Sequence, residues 1–257
     1  MLVDSGRVGT ASLVMTFHAE GVLAQWSLYG FERMRLQAEQ QGISVQLVAV
    51  LDNVDSQTRR IVEDHPVVRV CDRILVTAHG DPGLARNAGI AAASGHYVGI
   101  LDGDDYCSAN WISAAVGVLR ENPQVVVHTD YLVVFGATWG LGRQSNQLAG
   151  EGDRESCFKF HLWVSTVFAS RDFFLRCPYR ATRMAASGFG YEDWDWSLAV
   201  LAEGALHVTV PTTALFYRQK DDGSRQQAAE SQQVVVAPGP FFSAEFWMQR
   251  GQYEHRD

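Results

Sequence analysis

From residue 12 to residue 135, short apolar runs alternate with longer helix-like stretches, and this alternation restricts the chain's fold more than any other feature. Residues 12–17 (SLVMTF), 45–51 (VQLVAVL), 67–76, 97–101 and 125–135 are the apolar runs, each of a length that suits a buried strand. Between them, 21–41 carries Leu23, Trp26, Phe31 and Met34 along one side and stops at Gly42. Residues 55–64, 83–93 and 108–120 also read as helices, the last with Ser108 as its expected N-cap. The pattern predicts an α/β fold, a mostly parallel sheet with helices on both faces. Sheets of this kind bind ligands beyond the carboxyl ends of their strands. Two of the runs end there on an acid, Asp52 and Asp102.

The periodicity weakens after Gly136. Residues 137–156 are rich in Gly, Gln and Asn and read as a mobile loop. Strands are expected at 162–169, 206–210 and 213–217, and a helix at 192–203. The polar stretch 219–233 reads as flexible, and 234–247 regains apolar residues that can pack back on the body. No internal repeat is present. With 257 residues, the expectation is one domain: a nucleotide-type half at 12–135, an acceptor-type half at 136–218, and a loop and tail at 219–257.

Composition narrows the function. There are 21 Lys and Arg against 29 Asp and Glu, a net charge of −8, so nucleic acid is excluded as the main partner. No run of about 18 uncharged apolar residues exists, so no spanning helix is expected, while peripheral membrane contact stays open. The amino-terminal stretch, with Asp4 and no basic segment before an apolar core, does not read as a signal peptide. The four cysteines form no CxxC pair, and buried thiols in a reducing, cytoplasmic setting are expected.

Three stretches carry chemistry. Asp102-Gly103-Asp104-Asp105 places carboxylates directly after a buried strand, where their mutual repulsion calls for a cation or a proton. Magnesium or manganese held by carboxylates and phosphate oxygens would relieve it, and a solvated acidic turn capping the next helix is the plainer alternative. Residues 83–89 (GLARNAG) open a helix whose amino end favours anions, with Arg86 available for a charge-assisted hydrogen bond. Tyr191-Glu192-Asp193-Trp194-Asp195-Trp196 combines acids and aromatics at a helix start. That suits a general base beside a sugar-binding platform, or simply an acidic first turn over aromatic packing.

Taken in order, Thr16-Phe17-His18, Asp52, the 83–89 segment, Leu101-Asp102-Gly103-Asp104-Asp105 and Tyr191-Glu192-Asp193-Trp194-Asp195 resemble the family 2 glycosyltransferases of GT-A fold. The resemblance spans 12–218 and implies a non-processive, inverting enzyme that moves one sugar from a nucleotide-sugar to an acceptor hydroxyl. It implies Asp104, with Asp102 and Asp105, as ligands for Mn2+ or Mg2+. It implies Thr16, His18, Glu20, Asp52, Arg86, Asp102 and Gly103 around the nucleotide-sugar, with UDP or dTDP favoured by a carboxylate at Asp52. Asp193 corresponds to the general base, with Glu192 and Asp195 as second choices, and Tyr191, Trp194 and Trp196 line the acceptor side. Ala19 stands where the family usually carries Asn. Basic residues at Arg218, Lys220 and Arg225 fall where the family closes over the diphosphate. The implied acceptor is a glycan or a lipid-linked saccharide in surface polysaccharide assembly, placing the protein in the cytoplasm or at the inner membrane face. A haloacid-dehalogenase-like phosphohydrolase using Asp102 as nucleophile, a nucleotidyltransferase, and a non-catalytic sugar-nucleotide-binding module are the alternatives.

Overall fold

The computed structural model describes residues 10–221 and 225–251. The strands are β1 (Thr10–Phe17), β2 (Ser44–Asp52), β3 (Arg73–Thr77), β4 (Tyr97–Asp102), β5 (Tyr106–Cys107), β6 (Val126–Gly136), β7 (Gly140–Arg143), β8 (Val167–Ser170) and β9 (His207–Gln219). The helices are α1 (Leu23–Gln40), α2 (Ser56–Glu63), α3 (Pro82–Ala92), α4 (Trp111–Glu121), α5 (Arg171–Arg176), α6 (Met184–Ser187), α7 (Glu192–Ala202), α8 (Arg225–Ser231) and α9 (Ala244–Gly251).

The strands form one sheet in the order β3-β2-β1-β4-β8-β6-β9-β5, with β7 hydrogen-bonded to β6. β3, β2, β1 and β4 are mutually parallel. β8 is antiparallel to both β4 and β6, which returns β6 and its parallel neighbour β9 to the direction of β4. The carboxyl ends of β1, β2, β4 and β9 therefore share one edge, where β8 begins. Every candidate residue named from the nucleotide half lies at or just beyond that edge.

Period-2 alternation divides the core between the two faces. Leu13, Met15 and Phe17 of β1, with Leu47 and Leu51 of β2, pack under α1 and α4 through Leu28, Phe31, Trp111 and Ile112. Val14, Val48, Val50 and Ile100 face the other way, toward Ala85 and Ile90 of α3, Phe174 of α5 and Trp196 of α7. Each large apolar side chain buried this way contributes about 1.5–3 kcal/mol. Gly89 lets α3 lie close to the sheet, because a Cβ there would stand 2.3 Å from Val14 Cγ1.

Several expectations are corrected. The extended segment expected at 67–76 is a strand only over Arg73–Thr77; Val67 is buried from a turn. Ser108 does not cap α4, which begins at Trp111 after Asn110; its hydroxyl instead accepts the Ala214 N–H at 3.0 Å. The loop expected at 137–156 contains β7, an antiparallel partner for β6, and a short 3-10 turn at Gln147–Ala149. Of 162–169, only the end enters β8. The two strands expected at 206–210 and 213–217 are one strand, β9, with Thr212 at φ +65 where its register against β6 shifts. The stretch 219–233 includes α8, while 222–224 lie outside the described residues. The apolar tail does pack back: Phe241 and Phe246 join Trp163, Leu198 and Leu201 in a third cluster. Of the four cysteines, all free, Cys71 is exposed and the other three are buried.

Candidate active site

β2 ends on Asp52, which is buried and already an acceptor three times over. Its Oδ1 receives Thr77 Oγ1 (2.8 Å) and the His79 N–H (2.7 Å), and its Oδ2 receives the Gly80 N–H (2.9 Å). It holds the loop leading into α3, and with about four lone-pair positions on a carboxylate it retains room for one more donor. His18 is exposed beyond β1, its Nδ1 2.8 Å from the Asp52 carbonyl oxygen and its N–H donated to Glu20 Oε2 at 2.6 Å. Burial raises the Glu20 carboxyl above its ordinary range, and the Asp104 charge adds to this against the His18 N–H.

Asp102 closes β4 opposite Thr16. Its Oδ1 accepts from Thr16 Oγ1 (3.2 Å) and Arg86 Nη2 (3.0 Å), and its Oδ2 from Ser165 Oγ (2.9 Å). Burial works to raise this carboxyl, but Arg86 and the two hydroxyls outweigh it and hold Asp102 below the ordinary range. Arg86 does not extend toward a ligand as a free arm. It is buried on α3 and joins Asp102 to Glu192 Oε1 (2.8 Å), with its guanidinium 5.4 Å from the centre of the Tyr179 ring. Burial opposes its charge, but Asp102 and Glu192 more than compensate and keep it charged.

Gly103 serves packing. A Cβ there would meet Phe17 Cδ1 at 2.4 Å and the Thr16 carbonyl oxygen at 2.7 Å, so only glycine lets the turn fold against β1. The two acids after it diverge. Asp105 is buried, and its Oδ1 accepts the Arg218 N–H of β9 at 2.7 Å; burial, then the neighbouring Asp104 and Asp102 charges, push its carboxyl well up. This is a tie to β9, not the posture of a metal ligand. Asp104 is partly exposed, with Lys220 Nζ 2.7 Å from its Oδ2. Lys220 stays charged because Asp104 offsets the cost of its burial.

The carboxylates of α7 also separate by environment. Glu192 is buried on Arg86. Asp195 is buried on Arg180, which donates from Nε at 2.9 Å and from Nη2, and which also reaches the Pro238 carbonyl oxygen at 2.9 Å. Asp195 therefore anchors the tail and is not a base. Asp193 is partly exposed; among the described residues Oδ1 accepts only the adjacent Trp194 N–H (2.9 Å), and Oδ2 lies 4.0 Å from His161 Nδ1. Tyr191, which precedes the helix, sits at φ +56, a costly conformation for a non-glycine residue. Trp196 is a core residue stacked on Phe174 and Tyr179, with its Nε1–H on the Cys177 carbonyl, so it cannot meet an acceptor. Trp194 is partly buried: its Nε1–H is donated to the Cys157 carbonyl (3.1 Å), and its ring lies parallel to His161. Tyr191 meets Trp194 edge-on at 6.1 Å.

Ser165 and His161 were not legible in the sequence: Ser165 falls inside the strand expected at 162–169, His161 just before it, and neither belongs to a motif. Among the described residues no group of three or more His, Cys, Asp or Glu side chains could hold a metal. The donor set still fits one kind of cation. Magnesium and manganese are typically held by one or two carboxylates with water and substrate phosphate, and Asp104 beside Asp102 supplies that number. The Lys220 ammonium against Asp104 marks the place where positive charge is favoured.

A family model described as glycosyl transferase family 2 matches residues 20–179. The uncharacterized glycosyltransferase EpsJ of Bacillus subtilis (strain 168) is 37% identical over 65 residues, which is 25% of this chain and 19% of that protein. The structure of S. aureus TarS 1-349 in complex with UDP-GlcNAc superposes with a TM-score of 0.61 at 15% identity, covering 86% of this chain and 61% of that one. At that identity the likeness concerns the GT-A fold. The chain thus spans less than two thirds of each of these relatives. Among the described residues no helix is long and apolar enough to cross a membrane.

Proposed function

We propose, from the premise that this chain belongs to glycosyl transferase family 2, that it moves a single sugar from a nucleotide-sugar to an acceptor hydroxyl with inversion at the anomeric carbon. One observation carries the reading. At a single sheet edge, Arg86 ties the Asp102–Asp104 turn to the first turn of α7, where, among the described residues, Asp193 is the one of three acids without a cationic partner within 3.5 Å.

In this reading the sugar's diphosphate lies over Asp102 and Asp104, and the acceptor enters on the Asp193 side. The acceptor oxygen forms its bond to the anomeric carbon as the bond from that carbon to the phosphate oxygen breaks. The nucleoside diphosphate leaves with the electron pair, and Asp193 takes the acceptor's proton. Asp104, with Asp102, would hold Mn2+ or Mg2+, which supplies positive charge to diphosphate oxygens when bound. Lys220 and Arg218, at the end of β9, are placed to add charge beside it. The unused acceptor position on Asp52 suits the N3–H of uracil or thymine, which favours a UDP- or dTDP-sugar; the TarS structure, holding UDP-GlcNAc in the same fold, is in keeping with this. A glycan or lipid-linked saccharide at the cytoplasmic face of a membrane is the acceptor class proposed.

Calorimetry with UDP, GDP, dTDP and CDP, with manganese and with chelator, tests this. Manganese-dependent binding of UDP or dTDP is expected. Binding of none of the four would overturn the proposal.

A further inference from the structure

The connection between β7 and β8 does two jobs with two side chains. Ser165 donates to Asp102, at the proposed diphosphate end of the site. Four residues earlier, His161 faces Asp193, at the acceptor end. The His161 ring is fixed by the same helix that carries Asp193: it lies parallel to Trp194, 8° between planes with centroids 5.6 Å apart, and Trp194 is pinned in turn by its bond to the Cys157 carbonyl.

We propose that His161 is the positioning residue for Asp193, a neutral imidazole whose Nδ1–H is aimed at Asp193 Oδ2 and sets the carboxylate's orientation toward the acceptor hydroxyl. The inference rests on the reading of Asp193 as the base, but the pairing itself stands on geometry. A neutral imidazole has one donor nitrogen and one acceptor nitrogen. Among the described residues, His161 Nε2 is buried without a hydrogen-bond partner. A proton placed there would be a buried donor with nothing to receive it, whereas a proton on Nδ1 points at an acceptor-only carboxylate. The neighbouring imidazoles do not compete, since His128 Nε2 and His207 Nδ1 are 2.8 Å apart and occupied with each other. Burial also lowers the His161 imidazole below its ordinary range, against the pull of Asp193, which keeps the ring in the neutral form this role requires. The 4.0 Å separation is about 1 Å longer than a hydrogen bond, and contacts of this kind shorten when substrate closes a site. His161 exchanges no proton with the substrate; it keeps its Nδ1–H while Asp193 receives the acceptor's.

The test uses the full chain with 15N-labelled histidine. Nitrogen chemical shifts are expected to place the His161 proton on Nδ1 in the parent protein, and to move it to Nε2, or to an average of the two, in Asp193→Ala. Nε2-protonated His161 in the parent, or an Nδ1 proton that persists in Asp193→Ala, overturns the proposal. A kinetic arm follows UDP release from UDP-GlcNAc and UDP-glucose. His161→Phe keeps the stack on Trp194 and loses the donor, and should lower kcat about tenfold or more with the donor KM unchanged. His161→Asn returns a donor near the Nδ1 position and should recover most of the loss. Parental turnover in His161→Phe overturns the proposal. If instead the tautomer responds to Asp193→Ala while turnover survives that change, the base assignment fails and the pairing stands. Should neither sugar turn over, the tautomer decides alone.

Discussion

Lys220 Nζ lies 2.7 Å from Asp104 Oδ2, so the carboxylate best placed to meet a cation already holds one from its own chain. A divalent ion must displace or share with that ammonium. Lys220→Met should therefore tighten manganese binding to the nucleotide-free protein, by roughly two- to fivefold, as expected for an ion pair of about 0.5–1 kcal/mol with a partly exposed lysine. Titration calorimetry with manganese alone checks this. Equal affinity in the two proteins would mean that the lysine does not compete.

Arg86 is the bridge between the two halves of the site, bound to Asp102 on one side and Glu192 on the other. Removing one member of a buried ionic set leaves the others uncompensated, at a cost of about 3–5 kcal/mol. Arg86→Met should lower stability by that order in denaturant unfolding. Arg86→Lys keeps the charge but not the two-sided reach, and should fall between the two. A loss under about 1 kcal/mol in Arg86→Met would show that water screens the set.

Asp193 and Asp195 stand two residues apart on α7 and should separate by experiment. Asp193→Asn is expected to cut turnover by roughly 10²- to 10⁴-fold with nucleotide affinity retained. Asp195→Asn weakens the hold on Arg180 and the tail behind it, so its primary effect should appear in thermal unfolding. Steady-state kinetics beside melting curves distinguishes them. The reverse pattern would exchange their roles.

Asp81 links α3 to the chain a hundred residues later. It accepts from Leu84 N–H (3.1 Å) as the helix cap, and from Thr182 N–H (2.8 Å), Thr182 Oγ1 (2.9 Å) and Arg183 N–H (3.0 Å). Burial acts to raise its carboxyl, but these donors prevail and hold it below the ordinary value. A carboxyl depressed on folding adds stability that is fully present above its unfolded pKa, near 3.8, and is lost as pH falls through its lower folded value. Asp81→Asn should lower stability at neutral pH and flatten the decline below about pH 4. An unchanged pH profile in chemical unfolding would remove Asp81 from the acid response.

The local pattern carried much of the architecture. Alternating apolar residues in β1 and β2 divide between two faces of a sheet whichever residues cover them, and helix stops such as Gly42 act within a turn. The placement of Asp52 and Asp102 at strand ends, and hence the edge that holds the site, follows from this. Beyond Gly136 the same reasoning failed where order is imposed from a distance. β7 forms because β6 offers it an edge, and β9 runs through its bend because β6 continues to pair with it.

By itself, then, the sequence determined the alternating strands and helices up to Gly136 and the family of its motifs, because strand and helix periods are properties of neighbouring residues. Only the tertiary structure decided which acids remain available. Asp105 is spent on the β9 main chain, Glu192 on Arg86 and Asp195 on Arg180, and Trp196 is closed into the core. Each of those partners is remote in sequence or lies on another element. A carboxylate's role depends on which donors the fold brings within about 3 Å of it, a distance that no local pattern encodes.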